Sequence, residues 1–474
     1  MTLATTVADA QQTQSVETRI GKLDFEQGLP TEKTVTKLFD ELDFQRAVQC
    51  YLWALPIVSM DQLINISQAN SGAKDGEVTI AEGYRNVSAY LTANATTPYV
   101  FGALNLATTG PTVLAVPPGL IAGSVVDMWQ RATTDIGVTG PDKGHGAKFL
   151  LVGPGQQVPD AEGYFVVHSP TFRTVFFFRA LDPDPAKANA LKTGVQVYPF
   201  AERESPKPTR YITPSPGRPV TLSYQPRGLE YWKVLSEALA NESVEDRDRF
   251  FMAMLRPLGI EPGKPFTPDE RQEKLLTEAA FIGESMAKAN SFDKRFAGAR
   301  YRPDARWDYV IMVDPLQDLP GFSQLDERAA YTYEAVLMSR AMVTKTPGQG
   351  STYLASYRDS TGSAFDGAST YQLHVPPNPP AKQFWSITLY DLNTRTLIQN
   401  KEHLADRSSR QPDLLKNADG SVDLYFSPTP AKGFETNWIP TVPGQAWFTY
   451  LRLYAPTEAY FDKSWKLPDI ERVK

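Results

Sequence analysis

The sequence predicts an α+β protein that is mainly β, with two β-sandwich or jelly-roll-like domains joined by a helical segment. Three observations carry that expectation. Short apolar runs crowd into two stretches, residues 97–182 and about 350 to the end, cut by Gly-Pro, Pro-Pro-Gly and Gly-Pro-Gly corners. The 38 prolines and 31 glycines fall between such runs. That suits a turn-rich β protein, because proline cannot donate to a sheet ladder. Residues 227–345 instead repeat apolar side chains at helical spacing. The expected division is a flexible arm over 1–35, an N-terminal β domain with a leading helix over 36–200, a helical connector over 201–345 and a C-terminal β-sandwich over 346–474.

In chain order, the first 30 or so residues are polar and unpatterned. From Asp43 to Met60 a helix is expected. Phe44, Val48, Tyr51, Leu52 and Leu55 share one stripe, and Pro56 ends or kinks the helix. Strands are expected at 98–106, 112–117, 147–152, 163–167 and 174–181. A proline-rich connector covers 182–226. In the helical stretch, Leu229, Trp232, Leu235 and Leu239 form one face. Ser243 is placed to cap the helix holding Phe250, Phe251 and Met254, and Thr267-Pro-Asp-Glu270 reads as a capping box with Pro268 at the first helical position. Ala330, Tyr333, Leu337 and Ala341 make a further stripe, and Asp308–Val313 a short strand. Strands then return at 370–375, 384–390, 422–426 and 446–454. In the second of these, Trp385, Ile387 and Leu389 alternate with Phe384, Ser386, Thr388 and Tyr390, the period of a half-buried strand.

The two β stretches share an ordered set of features. Leu114-Ala-Val-Pro-Pro118, Val125-Val-Asp127-Met-Trp129, Leu150-Leu-Val-Gly-Pro154 and Phe176-Phe-Phe-Arg179 run through the first. Leu373-His-Val-Pro-Pro377, Ile387-Thr-Leu-Tyr390-Asp391, Leu424-Tyr-Phe-Ser-Pro428 and Tyr450-Leu-Arg452 run through the second. Duplication of one sandwich unit is one reading. The other is that proline-bounded strands look alike in any case.

Net charge is −6 and spread along the chain, which argues against nucleic acid, since phosphates need a basic stripe. Cys50 is the only cysteine, so no internal disulfide or cysteine metal cluster can form. No apolar run approaches the roughly 18 residues of a membrane span. The N-terminus lacks the basic and apolar regions of a signal peptide. A cytoplasmic protein is therefore expected as the sequence stands, with a periplasmic or secreted one as the alternative if a signal has been removed. A homodimer is expected on general grounds alone.

Motifs with strong chemistry are missing. No Walker A loop, placed Rossmann fingerprint or His-Glu-x-x-His occurs, and Gly283-Glu-Ser285-Met-Ala287 lies inside an expected helix rather than on a nucleophile elbow. The four histidines, 145, 168, 374 and 403, do not pair at metal-ligand spacing, so neither metal nor cofactor is expected. His145 sits in a Gly-rich loop where a ligand could approach the backbone, and is a candidate acid/base against the alternative of a plain loop histidine. Asp359 and Asp366 share a polar loop that could bind calcium or do acid/base work, although Asp-Ser-Thr-Gly and Asp-Gly are also turn formers. Asp127, Asp391, Arg179 and Arg452 lie in or beside apolar strands, where a charge is paired or lines a pocket. Trp129, Trp385, Tyr390, Trp438 and Trp447 could stack on sugar or aryl ligands, or be core.

These residues also carry a resemblance. Asn94–Tyr99, Gly110-Pro, Asp127, Asp135-Ile-Gly137, Gly144 and Leu151–Pro154 resemble the bacterial domain of unknown function 1254. Asp326-Glu-Arg328, Asp359, Asp366-Gly367, Phe384-Trp-Ser386, Tyr390-Asp391, Asn437–Pro440 and Arg452-Leu-Tyr454 resemble its C-terminal partner, number 1214. The resemblance implies two sandwich-like domains joined by helices, often exported, and no catalytic residue is carried over from it. The expected function is an enzyme of hydrolase or lyase type, independent of metal, acting on a small or oligomeric organic substrate in a cleft between the β domains. Its candidate catalytic residues are Asp391, Asp359 and His145. Its candidate ligand contacts are Trp129, Asp127, Arg179, Trp385, Tyr390, Trp438 and Arg452. The alternative is a non-catalytic protein that binds carbohydrate or an envelope component. A metal-dependent oxidoreductase is a distant third.

Overall fold

The computed structural model describes residues 14–215 and 220–473. Residues 14–30 of the expected arm form a small antiparallel meander: β1 (Gln14–Thr18), β2 (Gly21–Glu26) and β3 (Leu29–Pro30). It leads straight into the organising element, a 40-residue helix α1 (Glu32–Ser71). Thr31 caps its start, accepting the Thr34 N–H, and Glu32 suits the positive end. Gly72, at φ +78°, closes the far end in the left-handed conformation and donates its N–H to Gln68. Pro56 does not end the helix as one sequence reading had it. The lost Pro56 N–H disturbs the turn before it, and side chains from other elements occupy neighbouring carbonyls. Tyr231 Oη donates to Tyr51 O at 2.7 Å, and Arg328 Nη2 to Trp53 O at 3.0 Å. By length and composition α1 could cross a membrane, contrary to the sequence expectation. However, 89% of its most apolar window is buried inside the protein, so its apolar surface is already covered.

The first β half follows: β4 (Val78–Ala81), α2 (Gly83–Val87), β5 (Tyr99–Asn105), α3 (Leu106–Thr109), β6 (Thr112–Val116), β7 (Ile121–Asp127), β8 (Ala132–Gly137), β9 (Ala147–Val152), β10 (Phe165–His168) and β11 (Arg173–Ala180). The short helix α4 (Pro185–Lys192), β12 (Gln196–Pro199) and β13 (Tyr211–Ile212) complete it. These strands form a six-stranded sheet, β13-β4-β5-β11-β7-β8, and a four-stranded sheet, β10-β9-β6-β12. Val100, Val125, Phe176 and Phe178 of the larger sheet share one buried cluster with Leu114, Phe149 and Leu151 of the smaller.

The helices are α5 (Leu229–Ala240), α6 (Arg249–Leu255), α7 (Glu270–Phe292) and, after β14 (Asp308–Tyr309) and the hairpin β15 (Asp318–Leu319) and β16 (Phe322–Ser323), α8 (Leu325–Glu334). Three expectations shift here. The Ser243 hydroxyl bonds Pro170 O, and α6 is entered through a short 3₁₀ turn at Asp246–Asp248 instead. The capping box of α7 is Asp269 with Gln272, two residues beyond Thr267. The stripe expected through Ala341 is interrupted, because α8 ends at Glu334 and Leu337 has φ +73°.

The second half comprises β17 (Ser351–Ser356), β18 (Phe365–Asp366), β19 (Thr370–Val375), β20 (Ala381–Asp391), β21 (Asp406–Ser408), β22 (Val422–Ser427), β23 (Trp438–Pro440), β24 (Ala446–Pro456), α9 (Glu458–Phe461) and β25 (Glu471–Val473). Its large sheet runs β14-β17-β24-β20-β21, with β18 also on β24, and its small one β23-β22-β19-β25. Setting β13 and β18 aside, strand for strand this is the order of the first half. In both small sheets the outermost pair, β10 with β9 and β23 with β22, is parallel. Helix and strand each make up 28% of the protein, so the "mainly β" expectation is corrected to a mixed α/β architecture of several open sheets. One continuous core joins α1, α5, α7 and α8 to Phe101 and Phe177 on one large sheet and to Tyr450 and Leu451 on the other.

Candidate functional site

The three residues expected to be catalytic lie in separate turns. Asp391 ends β20, and its Oδ1 accepts the N–H groups of Asn393 and Thr394 at 2.9 and 2.7 Å. Asp359 is buried, with Oδ1 accepting Thr361 N, Thr361 Oγ1 and Ser363 N. Asp366 is exposed and holds Ala368 N and Ser369 Oγ. His145 is exposed in its loop. Each aspartate does what a turn-forming side chain does, satisfying the backbone donors that follow it.

Several of the expected ligand contacts are also occupied by the fold. Asp127 is fully buried. Its Oδ1 accepts Trp129 N and Arg131 N, and its Oδ2 meets Arg131 Nε at 2.5 Å. Arg131 in turn holds Glu245. This network fixes the β7–β8 turn. Trp129 packs on Trp53 with ring centroids 4.8 Å apart. Trp385 is buried, and Trp438 is buried with Nε1 on Ser427 O.

Arg179, Arg452 and Tyr390 behave differently, because the structure brings them together. Period-two alternation on β11 puts Phe177 and Arg179 on the face toward the helices. On β24 the same alternation puts Tyr450 and Arg452 there. Antiparallel register sets Tyr353 of β17 beside Arg452, and one step beyond the Phe178–Val100 pair it sets Tyr99 of β5 beside Arg179. The two large sheets thus present equivalent Arg–Tyr pairs to one cavity. Arg179 lies 4.6 Å from the Tyr99 ring centroid, and Arg452 lies 5.7 Å from that of Tyr353. The cavity, about 70 Å³, is lined mostly by apolar and aromatic side chains, Phe101, Phe177, Tyr331 and Tyr450 among them. Half-buried Ile311, Val336 and Met342 form its rim. Beyond it, sharing Ile311, Met342 and Tyr353, opens a more polar groove of about 460 Å³ with Asp314 and Lys345 in its wall.

Arg179 donates Nη2 to Tyr99 Oη at 2.8 Å and Nη1 to Tyr454 Oη. Arg452 donates Nη2 to Thr92 O at 2.6 Å, while its Nε and Nη1 have no protein partner. Tyr390 lies beside Arg452 and donates to Ala93 O at 2.9 Å. Thr92, the residue both approach, has φ +39°, a conformation rare for a β-branched residue. Burial raises the pKa of the Tyr390 and Tyr353 phenols, that of Tyr353 to about 12, so at neutral pH these two are uncharged.

Behind Tyr450 lies a buried polar chain that sequence reasoning missed. Tyr357 Oη donates to Glu334 at 2.9 Å, Lys294 Nζ donates to Tyr357 Oη at 2.9 Å, and Lys294 stands 3.9 Å from Glu334. Burial holds the Glu334 carboxyl above its ordinary pKa, opposed by Lys294, and holds the Lys294 ammonium below its own, opposed by Glu334. The Tyr450 hydroxyl faces Glu334 closely enough to feel its charge. No spacing in the sequence marks this chain, since its members come from the segment just after α7, the end of α8, β24 and the residue after β17. Among the described residues, no three His, Cys, Asp or Glu side chains converge as metal ligands.

Comparison with known proteins adds fold and family. No curated protein matches the chain. Among solved structures, the VPA0106 protein of Vibrio parahaemolyticus is similar at 18% identity, with a TM-score of 0.55 over 91% of this chain and 100% of its own. A protein from Burkholderia cenocepacia aligns at 10% identity over 93% and 97% of the two chains, with a TM-score of 0.40. Two family profiles match, both described as proteins of unknown function. The chain carries a DUF1254 region at residues 77–199 and a DUF1214 region at residues 350–458.

Proposed function

We propose that the chain binds a small organic molecule in the cavity between its two β halves. The observation that carries this reading is the cavity itself. It is mostly apolar, and a few polar groups from both halves converge on it, as in small-molecule sites generally. We read each pair of large and small sheets as one β-sandwich and the two as copies of one unit joined by helices, so that equivalent faces of the copies meet at the ligand. Any chemistry done there runs through the Tyr450 phenol on the cavity wall, with Glu334 behind it, rather than through Asp359, Asp391 or His145. Hydrolase or lyase action remains the enzyme class proposed. A carbohydrate-binding role draws no support from Trp129, Trp385 or Trp438, whose faces are covered.

The test is a thermal-shift screen of small organic molecules against the full chain and against Val336→Trp, which puts bulk at the half-buried rim. A ligand that binds only the folded state, present at a hundred times its Kd, stabilises by about 2.7 kcal/mol. The expected result is a shift in the native protein that Val336→Trp loses. Equal shifts in both would place the site elsewhere and refute the reading.

A further inference from the structure

The cavity holds positive charge that the chain does not neutralise. Arg452 is 3% exposed, and a guanidinium does not lose its proton in a protein. Two of its three nitrogens, Nε and Nη1, have no partner. Arg179 directs its bonds to the hydroxyls of Tyr99 and Tyr454 rather than to a carboxylate. The carboxylate within electrostatic reach of Arg452 is Asp406, with Glu334 behind Tyr450, and each is already engaged. Asp406 accepts Thr96 Oγ1 at 2.6 Å and has Arg407 beside it, while Glu334 has Lys294 and Tyr357. Lys294 and Arg407 also have Asp308 and Asp413 in reach, whereas the two cations that line the cavity, Arg179 and Arg452, have no salt-bridged carboxylate among the described residues. A buried charge left in this state carries an unrelieved desolvation penalty, and structures that keep one have a use for it.

The pairing of the two halves strengthens the point. Arg179 and Arg452 occupy equivalent strands, each beside a tyrosine on the neighbouring strand, Tyr99 or Tyr353. Both line the same cavity. Two guanidiniums and two phenols give donors, and only donors are free to meet an oxyanion. The remaining wall, with Leu63, Phe101, Phe177 and Val310, is apolar.

We propose that the ligand is an organic anion, a carboxylate on a small apolar or aryl body, with its carboxylate seated between Arg179 and Arg452. This rests on the reading of the cavity as a ligand site. It goes further by naming the ligand's charge, the residues that hold it and the chemical nature of its body. The carboxylate supplies acceptors for Arg452 Nε and Nη1, and the body replaces water against the aromatic wall.

The experiment is calorimetric titration of the full chain with acetate, hexanoate, benzoate and phenylacetate, and with the matching primary amides as neutral isosteres. At least one carboxylate is expected to bind one to one and about tenfold or more tighter than its amide, because charge-assisted hydrogen bonds are the stronger kind. Arg452→Met should abolish that preference and Arg452→Lys should keep part of it, with melting temperatures recorded to show that both variants are folded. Should Arg452→Met fail to fold, Arg179→Met supplies the same comparison. An amide binding as tightly as its carboxylate would overturn the anion proposal while leaving the ligand cavity standing. No binding of either series, with native and Val336→Trp proteins indistinguishable, would overturn both.

Discussion

Replacing Glu334 by leucine removes the only carboxylate among the described residues within salt-bridge distance of Lys294, and the structure sets the size of the effect. The two charges are 3.9 Å apart with side chains almost without solvent contact. With an effective dielectric of about 20, their attraction is about 4 kcal/mol. Glu334→Leu would strand the Lys294 ammonium in the core, and Lys294→Met would strand the Glu334 carboxylate. Each is expected to cost about 3–5 kcal/mol. The double variant removes both charges, so it should lose about 4 kcal/mol less than the sum of the single losses. The measurement is a double-mutant cycle from guanidinium unfolding, followed by far-ultraviolet circular dichroism and by tryptophan fluorescence. Single losses that simply add, within about 0.5 kcal/mol, would mean that the two groups do not sense each other and would refute the buried pair.

Three other outcomes are expected. Gly283→Ala should destabilise by up to about 2 kcal/mol in chemical unfolding. Alanine favours helix by about 1 kcal/mol, but overpacking costs about 1–3, and the added Cβ falls 2.5 Å from the Tyr51 ring, itself stacked on Tyr231. A gain in stability would show that Tyr51 can move. Glu242 links stability to pH. Burial raises its pKa to about 7 against the pull of the Phe172 and Arg173 N–H groups. Its contribution is fully present below its unfolded value of 4.5 and is lost as pH rises through about 7, a difference of about 3 kcal/mol. Glu242→Gln should flatten the stability difference between about pH 5 and about pH 8, and an unchanged slope would assign the titration to another group. Asp359→Ala should lower stability by about 1–3 kcal/mol through three lost hydrogen bonds while leaving ligand affinity unchanged. A loss of affinity with an unchanged melting temperature would return that residue to the functional site.

Strands were legible because their period and their proline boundaries are local. The expected spans 147–152 and 370–375 coincide with β9 and β19. Helix ends were less so. Ser243 and Thr267 have the right chemistry for caps, but backbone partners elsewhere decide which residue is used. Pro56 looked like a terminator because the groups that support the helix around it, Tyr231 and Arg328, lie far along the chain. The site was half visible. Arg179 and Arg452 stood out as charges in apolar strands. Their meeting, and the tyrosines beside them, depend on strand register and on the packing of the two large sheets around one core, neither of which a single sequence displays. Asp359, Asp391 and His145 were chosen for reactive side chains, and turns use the same side chains for hydrogen bonding.

The placement of α1 has a consequence for biosynthesis. Its apolar surface is completed by α7, α8 and, through the shared core, by Tyr450 and Leu451, which leave the ribosome last. The first long element made must therefore wait for nearly the whole chain before it is covered. The cluster between the two sheets of the first half can close early, but the core around α1 cannot. That core is thus expected to form after synthesis rather than during it, and α1, exposed in the meantime, is the segment a chaperone would meet first.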